Sequence, residues 1–140
     1  MPLVRISVFE TIAPERRAII ANAVYDAMRA TLGIPEGDRF VVLTSYPQEE
    51  LVIDPQFMKM QRTQDFVLVQ VTLRRGRSVE TKQSFYRETA RLLAERAGVA
   101  PDNTMIVLAE NDSADWSFGR GEAQYVVNPP AGASIVEVSR

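Results

Sequence analysis

Two chemically versatile residue types are missing from this chain of 140 residues, which contains no cysteine and no histidine. Without cysteine there is no disulfide, no thiol nucleophile and no metal bound by Cys side chains. Without histidine there is no Ser-His-Asp triad, no imidazole base and no zinc held by His side chains. Any catalysis must therefore depend on carboxylates, amines, guanidinium groups, phenols or the chain terminus.

Charge and hydropathy exclude further classes. Lys plus Arg is 16 and Asp plus Glu is 18, so the net charge of −2 does not support a general attraction to nucleic acid or to anionic membranes. No apolar run approaches the ~18 residues of a membrane span, and the first residues lack the pattern of a signal peptide. With 46% apolar residues, we expect a cytoplasmic protein with a single domain, residues 1–140.

Hydrophobic spacing predicts alternating strands and helices. Segments rich in β-forming residues, at 2–9, 39–45, 66–73 and 104–110, predict four strands. Helical spacing predicts one helix between Pro14 and Gly33 and a second between Ser78 and Gly98. Short β-like runs at 51–53, 125–127 and 135–138 predict a small hairpin in a loop and two further short strands.

The two halves of the chain match at a constant offset of 65 residues, which places Glu15 on Glu80 and Gly33 on Gly98. One register across strand, helix and strand predicts tandem β-α-β units at about 2–45 and 66–110, followed by a C-terminal tail at 111–140. The predicted fold is α/β (α+β), a mixed four-stranded sheet with two helices on one face. In one expected arrangement the first strands of the two units lie in the centre, antiparallel to each other. A ferredoxin-like order of the same elements would also pair the first and third strands antiparallel.

This topology brings reactive residue types to one edge of the sheet. Pro2 begins the first strand, Asp38 precedes the second, and Arg75 and Arg77 follow the third, which runs in the opposite direction. Because alternate strand residues share a face, we expect Arg75 and Arg77 to point together and Arg74 to point away. Two guanidinium groups can hold a carboxylate bidentately. The plainer alternative is a solvated strand end.

Pro2 has chemistry of its own only if Met1 is removed, which a small second residue generally permits. The freed secondary amine is held rigidly and can act as an acid, a base or a nucleophile. Nearby guanidinium groups lower the pKa of such an amine, and a nearby carboxylate raises it. With Met1 retained, the nitrogen is an amide without this chemistry.

An aromatic turn lies between 114 and 121, where Trp116 and Phe118 are followed closely by two glycines. Such a turn can wall a small pocket and exclude water from it. Alternatively, the two rings act as a plug that seals the core.

These features together resemble the tautomerase superfamily: the Met-Pro start, the tandem β-α-β units and the Arg-x-Arg sequence after the third strand. Within it, residues 112–121, DSADWSFGRG, are similar to the corresponding segment of malonate semialdehyde decarboxylases, as are residues 33–39. The resemblance covers the chain up to about Tyr125. It implies a homotrimer with active sites near subunit boundaries. It implies that Pro2 is a catalytic amine and Asp38 its acidic partner. Arg75 and Arg77 are implied to bind a carboxylate. The implied pocket walls are Trp116, Phe118 and Tyr125.

The activity that the resemblance implies is decarboxylation of a small β-keto acid such as malonate semialdehyde, with neither a metal nor an organic cofactor. Three alternatives remain open: a keto–enol tautomerase of the phenylpyruvate type with a neutral Pro2 as base, a hydratase of small unsaturated acids in which Asp38 positions water, and a trimeric binding protein without catalysis. A dehalogenase of the cis-3-chloroacrylic acid type is disfavoured because it depends on a histidine. A nucleic-acid module would rest on residues 74–77 alone, and the net charge argues against it.

Overall fold

The computed structural model describes residues 2–130 and contains one four-stranded sheet and two long helices. The strands are β1 (Leu3–Phe9), β2 (Val41–Tyr46), β3 (Val67–Arg74) and β4 (Thr104–Asn111), and the long helices are α1 (Pro14–Leu32) and α2 (Val79–Ala97). A short helix, α3 (Gln124–Val127), follows β4, and 3-10 turns form at Phe57–Lys59, Pro101–Asn103 and Ser113–Asp115.

The sheet has the strand order β2-β1-β3-β4. β1 pairs with β2 and β3 pairs with β4 in parallel, while the two central strands, β1 and β3, are antiparallel. The predicted mixed sheet of two β-α-β units with antiparallel central strands is therefore confirmed. Parallel pairing within each unit follows from its helical crossover, because a short turn cannot connect two parallel strands.

The internal repeat is reproduced in the helix boundaries. α1 begins at Pro14 and ends at Leu32, and α2 begins at Val79 and ends at Ala97, so both boundaries keep the offset of 65 residues. Each helix ends in a left-handed glycine, with φ of 67° at Gly33 and 65° at Gly98. Glycine adopts this conformation without the penalty that a Cβ brings, so the same residue type ends both helices.

The core lies between the helices and one face of the sheet. Inward-facing strand residues such as Val4 and Val69 alternate with outward-facing ones, as a sheet with one covered face requires. Helices α1 and α2 pack against each other and against this face, and Ile20, Met28 and Phe85 are almost completely buried there. Among residues 2–130, no helix combines the length and the apolar character needed to cross a bilayer.

The opposite face of the sheet, which we call the outer face, is covered by neither α1 nor α2 and is partly apolar. Leu3 on β1, Val42 on β2, and Met105 and Val107 on β4 are all classed as exposed. Apolar side chains grouped on an uncovered sheet face indicate an interaction surface.

Two of the shortest predicted strands are wrong. The described residues 47–66 contain no strand; there, the Asp54 side chain accepts hydrogen bonds from the backbone N–H groups of Gln56 and Phe57, at 2.8 and 2.9 Å, and turns the chain. The run at 125–127 belongs to α3 instead of a strand. A short apolar run does not reveal by itself whether it is helical or extended. The predicted strand at 135–138 lies outside the described residues.

Candidate active site

Pro2 and Asp38 come together at one edge of the sheet because β1 and β2 run in parallel. The Val4 N–H donates to the carbonyl of Phe40 at 3.0 Å, which brings the segment before β2 alongside the start of β1. On the other side of β1, Leu3 pairs with Thr72 of the antiparallel β3. The buried Pro2 therefore lies beside the end of β3, where Arg74 is the last strand residue.

Asp38 is held half-buried in a turn. Its N–H donates to the carbonyl of Pro35 at 3.3 Å, and its Oδ1 atom is buried. Burial raises the pKa of the Asp38 carboxyl, while the positive charges of the amino terminus and of Arg77 act in the opposite direction. The acidic group therefore lies close enough to the Arg77 guanidinium group for the two charges to interact.

Arg77 is fixed against the end of α1. Its Nε and Nη2 atoms donate to the carbonyl of Leu32 at 3.3 and 3.1 Å, and Nη1 donates to the carbonyl of Arg74 at 3.3 Å. A cation at a helix C-terminus is electrostatically favourable. Burial and the positive charge of Arg74 lower the pKa of Arg77, whereas Glu110, Tyr125 and Asp38 raise it. A guanidinium group nevertheless stays protonated, so Arg77 is a rigid, partly desolvated cation.

Arg74 is the second cation of this cluster. Its guanidinium carbon lies 5.1 Å from the centre of the Tyr125 ring. Its Nε atom is buried and has no hydrogen-bond partner within the part of the chain that the structure describes. Burial raises the pKa of Tyr125, and the charge of Arg74 opposes this shift. Arg74 therefore presents an unsatisfied, charged donor, which is costly unless a ligand accepts it.

Arg75 lies elsewhere, so the predicted grouping of Arg75 with Arg77 is wrong. The Arg75 Nε atom is 2.8 Å from Oδ1 of Asp112, and 57% of the side chain is exposed. β3 ends at Arg74, and Gly76 has a φ of +128°, so the alternation of faces does not continue to Arg77. The chain turn returns Arg77 to the side of Arg74. The prediction that Arg74 points away from Arg77 is therefore also wrong. The glycine before Arg77 was the signal in the sequence that strand geometry had ended.

The aromatic turn forms one wall of an open cleft instead of a core plug. Trp116 and Phe118 are stacked with ring centres 5.6 Å apart, and Phe118 meets Tyr125 edge-on at 4.8 Å. The Trp116 Nε1–H donates to Oδ1 of Asn111 at 2.7 Å and so fixes the indole. The cleft has a volume of about 400 Å³ and is lined by Leu3, Phe40, Thr72, Asn111, Asp115, Trp116, Ser117 and Phe118.

The cluster of Pro2, Asp38, Arg74, Arg77 and Tyr125, which we call the edge cluster, holds one carboxylate, two cations and a phenol at the buried start of the chain. It can bind a small anion and place that anion beside the first residues. Within residues 2–130, no group of three or more acidic side chains is arranged to hold a metal ion.

Comparisons with known proteins identify relatives of the chain. Two family models described as tautomerase enzyme match residues 38–119 and residues 2–59. Two proteins from Bacillus subtilis (strain 168), both named probable tautomerases, are similar to the chain. YusQ is 32% identical over 76% of this chain and 84% of its own length, and YrdN is 31% identical over 90% of this chain and 97% of its own length.

Solved structures extend the comparison to the whole fold. A malonate semialdehyde decarboxylase inhibited by 3-bromopropiolate superposes with a TM-score of 0.86 at 37% identity, covering 92% of this chain and 98% of that one. Another malonate semialdehyde decarboxylase, for which decarboxylase and hydratase activities are described, has a TM-score of 0.86 at 29% identity, covering 92% and 99%. A fused 4-OT, described as a symmetric trimer, shares the fold at 19% identity with a TM-score of 0.71, covering 86% and 94%. Since one family model spans more than half of the chain and two relatives exceed 30% identity over most of it, the chain belongs to the tautomerase family.

Proposed function

We propose that this chain, after removal of Met1, decarboxylates small 3-oxo acids such as malonate semialdehyde without a cofactor. The observation that carries the proposal is the grouping of Asp38, Arg74 and Arg77 beside the buried Pro2, which directly precedes β1. The similarity to two malonate semialdehyde decarboxylases supports the same activity. Arg74 takes the place that the sequence assigned to Arg75.

The two cations of the edge cluster bind the substrate carboxylate. Arg77 is already oriented by three hydrogen bonds to carbonyl groups, and Arg74 offers its buried Nε–H. A carboxylate held by two fixed donors can be rotated out of the carbonyl plane, so that the breaking bond aligns with the π system. Positioning of this kind reduces the entropy that the reaction must lose on the way to its transition state.

The amine of Pro2 supplies the electrophile. The Asp38 carboxylate favours its protonated form, because an opposite charge nearby raises the pKa of an amine. The cationic amine polarises the 3-oxo group with a charge-assisted hydrogen bond. The bond between C2 and the carboxylate carbon then breaks, its electron pair forms the enolate that the cationic amine stabilises, and CO₂ leaves. The enolate takes up a proton at C2, so that malonate semialdehyde and one proton give acetaldehyde and CO₂.

The aromatic wall assists by excluding water. Tyr125 and Phe118 pack edge-on beside Arg74. A low local dielectric strengthens the hydrogen bond to the carbonyl oxygen and favours loss of the carboxylate charge.

Keto–enol tautomerisation of a phenylpyruvate-type acid is the second candidate, and the names of the two Bacillus relatives favour it. That reaction needs a neutral Pro2 as the base, whereas decarboxylation needs the protonated amine. Hydration of an unsaturated acid uses the same residues, with Asp38 positioning water, and one of the similar decarboxylases is described with hydratase activity. The protonation state of Pro2 separates the tautomerase from the other two.

The proposal includes assembly as a homotrimer that binds a small carboxylate. The partly apolar outer face supports it, because Val42, Met105 and Val107 would otherwise remain in water. A trimer without catalysis, which serves only to bind partners, is the competing alternative.

The test is decarboxylation of malonate semialdehyde by the wild-type protein and by Pro2→Ala, after mass spectrometry has established whether Met1 is absent from each. We expect turnover by the wild type and a large loss in Pro2→Ala. Equal turnover by the two proteins, or by protein that retains Met1, would refute the role of the amine. If malonate semialdehyde is not turned over but phenylpyruvate is enolised, the tautomerase is favoured.

A further inference from the structure

The cleft beside the edge cluster is much larger than a three-carbon acid requires. Its volume of about 400 Å³ falls within the range of about 300–1,000 Å³ that is typical of pockets for drug-sized ligands. Malonate semialdehyde, bound through its carboxylate at the edge cluster, would leave most of this space unfilled. The cleft therefore points to a substrate with a larger substituent.

The cleft lies next to the proposed carboxylate-binding end, although no residue of the edge cluster lines it. Thr72, on its floor, and Arg74 are two residues apart on the same face of β3, a separation of about 7 Å. Phe118, on its wall, contacts Tyr125, whose ring lies beneath the Arg74 guanidinium group. An acid held by Arg74 thus has its remaining atoms directed along β3 into the cleft.

The surfaces of the cleft are suited to an apolar, uncharged group. Leu3 and Phe40 form an apolar side opposite the aromatic turn. Two polar atoms at the cleft are occupied, since Oδ1 of Asn111 accepts from Trp116 and Oδ2 of Asp115 accepts from the Asp112 N–H at 2.9 Å. The Asp115 carboxylate also repels a second negative charge at the far end of a substrate.

We propose that the cleft formed by Leu3, Phe40, Thr72, Trp116 and Phe118 binds the apolar substituent of the substrate, which makes this protein selective for aryl-substituted 3-oxo acids. The inference rests on the proposed decarboxylation at the edge cluster and names the substrate class for it. The matching reaction converts benzoylacetate and one proton into acetophenone and CO₂. The bond between C2 and the carboxylate carbon breaks, and its electron pair ends in the new C–H bond of the methyl group.

The first experiment measures kcat/KM for benzoylacetate and for malonate semialdehyde in the wild type, in Thr72→Phe and in Gln70→Phe. Phe at position 72 fills the cleft. Gln70 lies on the same strand and the same face but does not line the cleft, so Gln70→Phe controls for an added ring on the outer face. We expect the wild type to prefer benzoylacetate, and the ratio of the two kcat/KM values to fall by at least about tenfold in Thr72→Phe only.

Turnover of malonate semialdehyde without turnover of benzoylacetate would overturn the inference and leave the proposed function intact. An unchanged ratio in Thr72→Phe would also overturn it. If neither acid is turned over, the proposed function fails. A binding measurement then tests whether the cleft receives an aryl group.

That measurement uses the fluorescence of Trp116, the only tryptophan of the chain and a residue of the cleft wall. The ligands are 3-phenylpropionate and propionate, which contain no 3-oxo group and cannot react. We expect 3-phenylpropionate to bind more tightly than propionate in the wild type and in Gln70→Phe, with the difference lost in Thr72→Phe. Equal binding of the two acids by the wild type would show that the cleft does not receive an aryl group.

Discussion

The guanidinium carbon of Arg74 lies 5.1 Å from the centre of the Tyr125 ring, and this contact joins the end of β3 to the short helix α3. The ring face stabilises the cation. The Nε–H of Arg74 nevertheless has no partner among residues 2–130. Arg74 is therefore a cation held against an aromatic ring with a buried Nε atom, in contrast to Arg75, which is exposed and paired with Asp112.

This contrast between neighbours gives the first prediction. Arg74→Gln should lower kcat/KM for the 3-oxo acid by about 100-fold, as is typical when one charge-stabilising donor is removed from an active site. Arg75→Gln is the matched control and should lower it by less than about fivefold, because an exposed ion pair is worth at most about 1 kcal/mol. Steady-state kinetics of the two variants and the wild type measure these changes in kcat/KM. A larger loss in Arg75→Gln would restore the grouping that strand alternation predicted.

The half-buried carboxyl of Asp38 gives a pH-dependent prediction. Burial raises its pKa in the folded protein above the ordinary value of 3.8, despite the opposing charges of the amino terminus and Arg77. In the window above pH 3.8 the folded state then binds more protons than the unfolded state, so the contribution of Asp38 to stability falls as pH rises. The free energy of unfolding of Asp38→Asn should therefore rise relative to that of the wild type as pH increases through this window.

Urea unfolding at a series of pH values from about 4 to 7 measures this difference. Glu36→Gln, which removes an exposed carboxylate from the same turn, controls for the loss of one negative charge. A free energy of unfolding of Asp38→Asn that falls relative to that of the wild type as pH increases would mean that folding lowers the pKa of Asp38.

Gly76 is the backbone feature that separates Arg75 from Arg77. Its φ of +128° is rarely adopted by other residues, whereas an added Cβ would meet no atom within 4 Å. Gly76→Ala should therefore cost about 1–3 kcal/mol through backbone strain alone. Because the turn aims Arg77 at the Leu32 carbonyl, the variant should also lose activity. Urea unfolding at fixed protein concentration tests the first effect, and an unchanged free energy of unfolding would contradict it.

Most of the fold could be predicted because it repeats. The offset of 65 residues relates the boundaries of α1 to those of α2 and the left-handed Gly33 to Gly98. Two β-α-β units of equal length leave few ways to form one sheet, and the antiparallel pairing of β1 with β3 is among them. The segments without a counterpart in the repeat, such as 47–66 and α3, are those in which short predicted strands were wrong.

The roles of the edge-cluster residues stay a proposal, but the wrong grouping of Arg75 with Arg77 has a local cause. Topology alone brings Asp38 and the end of β3 to the edge where Pro2 lies. Which arginine joins Arg77 depends on where β3 ends and on the φ of Gly76, and neither is visible in an alternation pattern. The contact of Tyr125 with Arg74 was equally inaccessible, because it depends on how α3 packs after β4.

The outer face gives a prediction about assembly. Val107→Glu should convert the proposed trimer into monomers, because it places a charge on an apolar face that a trimer would bury. Val79→Glu is the control, since Val79 is exposed in the first turn of α2, where a negative charge is favourable. Light scattering coupled to size-exclusion chromatography measures the masses. A monomeric wild type, or a Val107→Glu variant with unchanged mass, would contradict the proposed assembly.

The most direct measurement is a ¹⁵N NMR titration of protein labelled at proline nitrogen, performed on the wild type and on Asp38→Asn. The account predicts that the Pro2 nitrogen titrates as a free secondary amine with a pKa above neutral, and that this pKa falls when the carboxylate of Asp38 is removed. An amide signal that does not titrate, or an amine whose pKa lies well below neutral, would contradict catalysis by a protonated Pro2.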